Sequence, residues 1–504
     1  MSVPSFFEGI HQAPPIEVFS LSEACREDVS PDKINLTVGA YRTNEGEPWV
    51  LPCVRAVETS LAADHSLNKE YLPITGLEAM CANVLKLLLG ECCPLIAEKK
   101  ADNCQSLGGT GAVFLGLQFL RRLCNRAVVF VSRPTWPNHI GISKFTGLEV
   151  REYRYWDSAT RSVNFEGMVE DLREGPDGAV IILHACAHNP TGMDLSRKQW
   201  MDLLIVIKEK HLFPLFDLAY QGFASGDLDN DAWAVRYFAE QGMELFVAQS
   251  FSKNFGLYIN SGTRNRKALQ NSTRTFKLTS QPNHLAYFSH IKVLSSSVSK
   301  GQGDCFATRT SPVRACVGGP GDQWWLRDDE LSVQCTGVLL TSFSSRPSPV
   351  RKPQDERVGA LAFITKDASI TAKVKSQLKI IIRQSWSNPP QHGALIVGKI
   401  LSDPVLTAEW KSNVFTMAER VKLMRQMLYD SLLKLNTPGS WDHIIQQIGM
   451  FSYTGLTKEQ SQYMRDKHHV YLMNDGRINM CALTTHNVEY VAKVIHDALT
   501  ELPD

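Results

Sequence analysis

One lysine stands between hydroxyl, glycine and aromatic residues where an apolar, strand-like segment ends. The segment Ala248–Tyr258 reads AQSFSKNFGLY and places Lys253 directly after Ser250 and Ser252. An amine becomes a nucleophile where an apolar pocket and cationic neighbours disfavour its charge, and serines one residue apart can both face a phosphate. The pattern predicts a lysine that holds an aldehyde cofactor, with a surface lysine after a strand as the alternative.

A glycine-rich stretch upstream offers a place for the phosphate of such a cofactor. Residues Ser106–Gly111 read SLGGTG and directly precede the apolar stretch Ala112–Leu120, which is long enough for a buried helix. Free backbone N–H groups at the start of a helix attract anions. The stretch therefore predicts a phosphate cradle, with an ordinary helix entry as the alternative.

A carboxylate closes another apolar run further along the chain. Asp217 ends the run Leu212–Phe216, and a carboxylate at the end of a buried strand is costly to bury unless a cation meets it. A protonated pyridine nitrogen is such a cation, and its protonation makes the ring of pyridoxal phosphate an electron sink. Tyr220 follows three residues later and is placed to reach the hydroxyl of that ring. A helix N-cap is the alternative role for Asp217.

The elements that must position these residues alternate along the chain. Four short apolar runs separate longer helical patterns and are expected to be buried parallel strands; they are Ala127–Ser132, Ala179–Ala185, Leu212–Asp217 and Leu245–Ser250. Ser196 and Gln199 form a capping-box pattern at the start of one intervening helix. This alternation predicts an α/β fold around a mostly parallel sheet.

Composition narrows the class of protein. The chain has 504 residues, of which 43% are hydrophobic, and this size predicts two domains or more. A net charge of +1 does not indicate a nucleic-acid partner, and no apolar run of about 18 residues suggests a membrane span. The first residues resemble neither a transit nor a secretory peptide. The 12 cysteines contain no C-x-x-C pair, so we expect free thiols in a reducing compartment and no metal site.

Together these segments resemble the aspartate aminotransferases, which are class I pyridoxal-phosphate enzymes, and most closely their cytosolic animal branch. The resemblance covers nearly the whole chain. Besides the lysine segment, it rests on Thr37–Thr43, Glu70–Ile74, Pro134–Trp136, His184–Gly192, Phe216–Phe223, Trp386–Pro390 and Gly476–Met480.

The resemblance implies an organisation as well as an activity. It implies the α/β fold of the type I pyridoxal-phosphate-dependent transferases, a large domain with a mostly parallel seven-stranded sheet plus a smaller α/β domain. The implied segments are an arm at residues 1–14, a small domain at 15–51 and 417–504, and a cofactor domain at 52–416. It also implies a cytoplasmic homodimer with shared active sites. The implied reaction is ping-pong amino transfer between L-aspartate with 2-oxoglutarate and oxaloacetate with L-glutamate.

The resemblance further implies a role for each site residue. Lys253 would bind the cofactor aldehyde and then carry protons, while Asp217 would pair with the ring nitrogen. Trp136 would stack on the ring, and His139 and His184 would orient Asp217; a core side chain is the alternative role for each of the three. The ring oxygen would be held by Tyr220 and Asn189. The phosphate would be held by Gly109, Thr110, Ser250, Ser252 and Arg357, together with Tyr71 of the partner subunit.

Two arginines are implied to define the substrate. Arg477 would grip the α-carboxylate, and Arg383 of the partner subunit would grip the distal carboxylate of aspartate or glutamate. Gly39, Trp136 and Asn189 would complete the substrate site. An aromatic amino acid aminotransferase on the same fold is the alternative enzyme, since it would share the catalytic groups.

One long segment departs from the family pattern. Arg357 follows Lys253 by 104 residues, and residues 259–354 between them match nothing in the family. This segment has 13 Lys and Arg against 5 Asp and Glu, 14 serines and no sustained period, which favours coil. We expect either a partly disordered insertion or a translated non-coding segment. The interruption also leaves open an inactive scaffold with the aminotransferase fold.

Overall fold

A mostly parallel sheet of seven strands organises the part of the chain that the computed structural model describes, residues 5–258 and 356–503. The spatial order of its strands is β2 (Ala101–Leu107), β10 (Val358–Ile364), β9 (Leu245–Ser250), β8 (Phe213–Leu218), β7 (Val180–His184), β3 (Val128–Arg133) and β4 (Glu149–Arg154). This confirms the α/β fold with a mostly parallel seven-stranded sheet. The predicted insertion at residues 259–354 lies outside the described residues.

The strands agree with the apolar runs of the sequence to within about one residue. In chain order the strands are β1 Ile34–Asn35, β2 Ala101–Leu107, β3 Val128–Arg133, β4 Glu149–Arg154, β5 Trp156–Asp157, β6 Ser162–Val163, β7 Val180–His184, β8 Phe213–Leu218, β9 Leu245–Ser250, β10 Val358–Ile364, β11 Phe451–Tyr453, β12 Val470–Tyr471 and β13 Arg477–Asn479. The four predicted parallel strands correspond to β3, β7, β8 and β9.

The runs are continuously apolar because the sheet is covered on both faces. Along β7, Val180 and Ile182 enter one hydrophobic core, whereas Ile181 and Leu183 enter the other. A strand that buries both faces has no solvent-facing position to fill with polar residues. All residues of β7, β9 and β10 are accordingly buried.

Helices cover the two faces of the sheet and build the remaining structure. Their bounds are Glu17–Glu27, Pro52–Ala63, Glu78–Leu89, Pro94–Ala97, Gly108–Leu123, Pro137–Phe145, Phe165–Glu174, Arg197–Glu209, Leu228–Asp231, Trp233–Glu240, Ala368–Ser385, His392–Ser402, Pro404–Lys434, His443–Gln446, Lys458–His468 and Val488–Glu501. The predicted capping box of Ser196 and Gln199 is present. Among the helices of the described ranges, none is long and apolar enough to cross a membrane.

One strand runs against the others. β10 lies between β2 and β9 and is antiparallel to both, with Gly359 opposite Ser250 and Val358 opposite Leu107. The chain therefore enters β10 at the edge of the sheet where β2 and β9 end. This places Arg357, the residue before β10, beside the glycine-rich stretch and the lysine segment.

Segments far apart in sequence pair outside the main sheet. β1 is parallel to β12, and this pair joins the early chain to the last hundred residues, within which β11 is antiparallel to β13. The long helix Pro404–Lys434 is continuous across residue 416. The predicted border between the large and small domains at that residue therefore lies inside one helix.

Candidate active site

The carboxyl ends of three neighbouring parallel strands bring the predicted residues together. His184 ends β7 and is paired in register with Asp217 of β8, which is itself paired with Ala248 of β9. Ser250 ends β9, and Lys253 follows three residues later. Ligands of open α/β sheets bind at this edge. The cluster that sequence reasoning expected is therefore assembled by the topology of the sheet.

Asp217 is a buried carboxylate with an imidazole partner. Its Oδ2 atom lies 3.0 Å from Nε2 of His139, whose Nδ1 atom lies 2.9 Å from the hydroxyl of Thr135. Burial raises the pKa of Asp217, but the hydrogen bond from His139, together with neighbouring charges that include Lys253, lowers it overall. Within the described residues no hydrogen bond reaches its Oδ1 atom. Asp217 is thus an ionised acceptor with one oxygen free to meet a cation.

Of the two histidines expected to orient Asp217, only His139 forms a hydrogen bond with it, and His184 is packed as a core histidine. Its ring packs 4.9 Å from the ring of His139 and 4.2 Å from that of His188. Both of its nitrogen atoms are buried without a hydrogen-bond partner among the described residues. Burial and, to a smaller extent, the neighbouring His139 lower the pKa of His184 to about 3, against the opposing charge of Asp217. His184 is therefore a neutral ring at physiological pH.

These three side chains also have the donor atoms of a metal site. The ligand atoms of His139, His184 and Asp217 lie within 4.8 Å of one another. Two of these atoms already share the hydrogen bond between His139 and Asp217. We assign no metal to the cluster.

From the low pKa of His184 we predict how the stability of the fold depends on pH. Because its pKa is near 6.5 in the unfolded chain and about 3 when folded, only the unfolded chain takes up its proton between these values. The free energy of unfolding therefore decreases by about 1.4 kcal/mol for each pH unit as the pH falls. Between pH 7 and pH 5, the wild type should lose about 2 kcal/mol more than a His184→Phe variant.

The measurement is urea unfolding of the cofactor-free protein at both pH values. A variant of the solvent-exposed His65, His65→Phe, is the control and should keep the pH dependence of the wild type. Equal pH dependence in the wild type and His184→Phe would show that the His184 ring does not carry this penalty.

Lys253 faces the same edge. Its Nζ atom lies 5.4 Å from the ring centre of Tyr220, which is buried. Burial lowers the pKa of Lys253, the charge of Asp217 opposes this effect, and the charge of Arg357 adds to it. Burial and Asp217 raise the pKa of Tyr220, so that its hydroxyl keeps its proton. The lysine amine is therefore easier to deprotonate than an exposed one.

The glycine-rich stretch forms the first turn of a helix, earlier than expected. The helix begins at Gly108, whose φ of +66° is a conformation that side chains disfavour. A Cβ atom added to Gly109 would lie 3.0 Å from Cβ of Ser250, so the N-terminal turn approaches the end of β9 closely. Gly109 and Thr110 thus lie in the first turn of the helix, where the backbone N–H groups have no hydrogen-bond partner within the helix.

The remaining residues of the predicted cradle surround this turn. A Cβ atom on Gly108 would lie 3.9 Å from Cδ of Arg357. Ser250 and Ser252 are buried, and the backbone N–H of Ser252 donates to the hydroxyl of Ser250 at 3.4 Å. The exposed Arg357 brings a cation to the rim. Helix N–H groups, hydroxyls and a guanidinium therefore converge where a phosphate would bind.

Arg477 is a buried guanidinium on the other side of the site. Its Nη1 donates to Oδ1 of Asn189 at 3.3 Å and its Nη2 to the carbonyl of Thr37 at 3.4 Å. The guanidinium lies 4.4 Å from the ring centre of Phe451. At Gly39 a Cβ atom would lie 2.6 Å from Cζ of the same phenylalanine. The structure thus brings Asn189, Arg477 and Gly39 together, and it adds Phe451 to them.

Three predicted residues lie at the rim or away from this cluster. Trp136 is the N-cap of helix Pro137–Phe145, is partly buried, and meets the ring of His139 edge-on at 5.3 Å. Tyr71 is 86% exposed. Arg383 is exposed in the last turn of helix Ala368–Ser385 and donates to the hydroxyl of Ser387. Neither Tyr71 nor Arg383 contacts the site of its own chain.

Sequence reasoning missed the residues that support Asn189. His188 forms hydrogen bonds through both ring nitrogens, at 2.8 Å to Thr191 and at 2.8 Å to Ser132. The backbone N–H groups of Ala187 and His188 donate to the carboxylate of Asp194 at 2.7 and 2.8 Å. A histidine next to Asn189 and an acid five residues after it were the available signals. Nothing in the sequence pointed to Ser132.

Comparison with known proteins agrees with this geometry. The sequence model described as Aminotransferase class I and II matches residues 31–260 and 354–495. The chain is 43% identical to the cytoplasmic aspartate aminotransferase of Gallus gallus, over 99% of both chains. It is 41% identical to the cytoplasmic aspartate aminotransferase of Caenorhabditis elegans, over 98% of both chains.

Solved structures with the same fold include two enzyme types. The cytoplasmic aspartate aminotransferase of Saccharomyces cerevisiae has a TM-score of 0.78 and 34% identity, covering 98% of this chain and 99% of that one. The aromatic-amino-acid aminotransferase of Burkholderia pseudomallei, solved with pyridoxal phosphate covalently bound, has a TM-score of 0.77 and 34% identity, covering 98% and 100%. Similarity of fold therefore does not separate aspartate from aromatic substrates.

Proposed function

Because the chain belongs to the class I and II aminotransferases, we propose that it is a pyridoxal-phosphate-dependent aspartate aminotransferase. It exchanges an amino group between L-aspartate with 2-oxoglutarate and oxaloacetate with L-glutamate in two half-reactions. The observation that carries the proposal is one arrangement at the carboxyl edge of the sheet. The partly buried Lys253 lies against Tyr220 there, near the free oxygen of Asp217 and the cradle beside Arg357.

The described residues fit pyridoxal phosphate at both of its charged ends. The free Oδ1 atom of Asp217 suits a protonated ring nitrogen, since an ionised buried carboxylate needs a cation. The N-terminal turn at Gly109 and the guanidinium of Arg357 suit the phosphate. Gly109 keeps the space beside Ser250 open for the phosphate, because a side chain at this position would collide with Ser250.

When bound, the cofactor supplies an electron sink for the electron pair that the substrate's α-carbon releases. The protein supplies the proton carrier. The Nζ atom of Lys253, whose pKa is lowered by burial and by the charge of Arg357, takes the proton from the α-carbon of the substrate. Asp217 stays ionised through its hydrogen bond with His139. Tyr220 keeps its proton, and its hydroxyl and the side-chain amide of Asn189 would hold the ring oxygen of the bound cofactor.

Recognition of the substrate is assigned to arginines. The guanidinium of Arg477 binds the α-carboxylate through two nitrogens, and its hydrogen bond to Asn189 fixes its orientation. We propose that Arg383 of the partner subunit binds the distal carboxylate and that Tyr71 of the partner subunit completes the phosphate site. Their exposure in one chain is what a site shared across a two-fold interface requires.

The dimer itself is part of the proposal. Three large apolar side chains of the N-terminal segment, Phe6, Phe7 and Ile10, are 70% exposed or more. Neighbouring exposed apolar residues mark a surface that another molecule covers. We propose that this arm crosses to the partner subunit. The cytoplasm is the proposed location, as for the relatives from Gallus gallus and Caenorhabditis elegans.

The long segment between Lys253 and Arg357 is predicted to be dispensable. The family match is interrupted between residues 260 and 354 and resumes on the far side, so the matched parts contain all proposed active-site residues. A variant that lacks residues 259–354 should keep equal or higher kcat/KM for aspartate. Steady-state kinetics of both purified proteins provide the test. Loss of activity on deletion would mean that the segment is a functional part of the enzyme.

The proposed function is tested by substrate preference. The full-length chain, loaded with pyridoxal phosphate, is assayed with 2-oxoglutarate and with aspartate, phenylalanine or tyrosine as amino donor. We expect kcat/KM for aspartate to exceed that for either aromatic donor by about 10²-fold or more, because an aromatic ring leaves the second arginine unpaired. A preference for aromatic donors favours the alternative enzyme. No turnover with any donor and no absorbance of bound cofactor favours the inactive scaffold.

A further inference from the structure

The loop that carries Asn189 is held in a strained conformation. Ala187 has a φ of +50°, a left-handed backbone that non-glycine residues rarely adopt. Such a conformation is unfavourable for an L-residue and persists only where the surroundings impose it. It occurs two residues before Asn189, which meets both the ring oxygen and Arg477 in the proposed function. What holds this loop therefore bears on the direction of the substrate arginine.

A carboxylate holds the strained backbone in place. The two oxygens of Asp194 accept hydrogen bonds from the backbone N–H groups of Ala187 and His188, at 2.7 and 2.8 Å. Hydrogen bonds to a charged acceptor are stronger than those between neutral groups. This pair fixes the peptide that directly precedes Asn189.

The side chain of His188 fixes the same loop from inside. Its nitrogens bond the hydroxyls of Thr191 and Ser132, at 2.8 Å each, and its ring stacks on Tyr155 at 3.9 Å between centroids. Burial lowers the pKa of His188, so the ring is neutral and has one donor and one acceptor nitrogen. A hydroxyl can serve either nitrogen, and the ring is therefore fully satisfied.

The loop also joins the segment that carries Phe451. The backbone N–H of Ile448 donates to the carbonyl of Gly192 at 2.7 Å. A Cβ atom on Gly449 would lie 2.3 Å from Cβ of Ala187. Phe451, two residues further on, lies against the guanidinium of Arg477. Asn189 and Phe451 are two side chains that lie against Arg477. The loop carries the first of them and contacts the segment that carries the second.

We propose that His188 and Asp194 are positioning residues, which fix Asn189 against Arg477 and so set the direction from which Arg477 binds the substrate's α-carboxylate. The proposal rests on the proposed function for the identity of the carboxylate. It assigns to the two residues no contact with substrate or cofactor. We call the hydrogen bonds that His188 and Asp194 make to this loop the clamp. Breaking the clamp should weaken binding of the substrate's carboxylate more than binding of the cofactor.

The test uses variants that remove the clamp and keep its shape. His188→Phe removes both ring hydrogen bonds but keeps a flat ring against Tyr155. Thr191→Val removes one of these bonds at equal volume, whereas Thr191→Ser keeps the hydroxyl and is its matched control. We expect His188→Phe and Thr191→Val to raise the Kd of succinate, a non-reacting dicarboxylate, and the KM of aspartate by about tenfold.

Two other quantities should stay near the wild type. The Kd of pyridoxal phosphate should change by less than about threefold in both variants, and Thr191→Ser should restore the wild-type Kd of succinate. A lower Tm with an unchanged succinate Kd would reduce the clamp to a structural role and overturn the proposal. Equal impairment in Thr191→Ser and Thr191→Val would overturn it as well.

A crystal structure of Thr191→Val separates this proposal from the proposed function. The 3.3 Å contact between Asn189 and Arg477 should be broken in the variant. An intact contact contradicts the positioning role even if the wild type transaminates aspartate. A broken contact supports the role even if the wild-type substrate proves to be another amino acid.

Discussion

A Lys253→Ala variant is expected to lose at least about 10⁴-fold in kcat for aspartate, because one side chain provides both the nucleophile and the proton carrier. The lowered pKa of the partly buried amine is what suits it to both roles. The cradle at Gly109 and the carboxylate of Asp217 remain in the variant. It should therefore still bind pyridoxal phosphate, which absorbance titration of the cofactor-free protein measures.

Two further variants locate the cause of that loss. Lys253→Arg keeps the positive charge but not an amine that can be deprotonated, so it should be as inactive as the alanine variant. The exposed Lys366 is the matched control, and Lys366→Ala should keep wild-type kinetics. Substantial activity in Lys253→Arg would mean that a fixed charge, and not a neutral amine, does the chemistry at this position.

An Arg383→Ala variant should lose about 10³-fold in kcat/KM for aspartate and leave cofactor binding unchanged. A charged pair with two hydrogen bonds loses about 4 kcal/mol when one partner is truncated, which corresponds to this factor. The loss should be much smaller for phenylalanine, since its side chain has no carboxylate to pair. Steady-state kinetics with both donors measure the two effects in one preparation.

The same variant tests whether the site is shared between subunits. Arg383 contacts Ser387 of its own chain and lies outside the cluster at Lys253. A mixed dimer of Arg383→Ala and Lys253→Ala chains should therefore recover one intact site. Near-normal aspartate kinetics in the Arg383→Ala homodimer would refute the assignment of the distal carboxylate to this arginine.

Residues at the ends of parallel strands were predictable from the sequence. Asp217 and Lys253 each follow a short apolar run, and parallel strands of one sheet end at the same edge. Once the runs were identified as β8 and β9, the proximity of these residues followed from topology. The chemical types of these two residues, a carboxylate and an amine, were then enough to predict that they belong to one site.

Other features depend on packing that the sequence does not express. The helix begins at Gly108 and not after Gly111, because glycine can adopt the positive φ of the first turn and approach β9 without a side chain. The antiparallel insertion of β10 was hidden by the 103 residues between Lys253 and Arg357. Pairing over such a distance leaves no local pattern.

The support of Asn189 was equally out of reach. The bond from His188 to Ser132 joins residues of two different strand ends, and a single serine carries no signal of its own. The left-handed backbone of Ala187 is also contrary to what alanine favours. Local preference is overridden there by the carboxylate of Asp194, in the part of the molecule closest to the proposed chemistry.

The half-reaction with aspartate alone tests the central claim most directly. The protein is loaded with pyridoxal phosphate, mixed with aspartate in the absence of 2-oxoglutarate, and the oxaloacetate released is counted per chain. We predict about one oxaloacetate per chain for the wild type and none for Lys253→Ala, followed by glutamate release when 2-oxoglutarate is added. Oxaloacetate that forms only when both substrates are present, or that forms equally in Lys253→Ala, would contradict amino transfer by Lys253 at the carboxyl edge of this sheet.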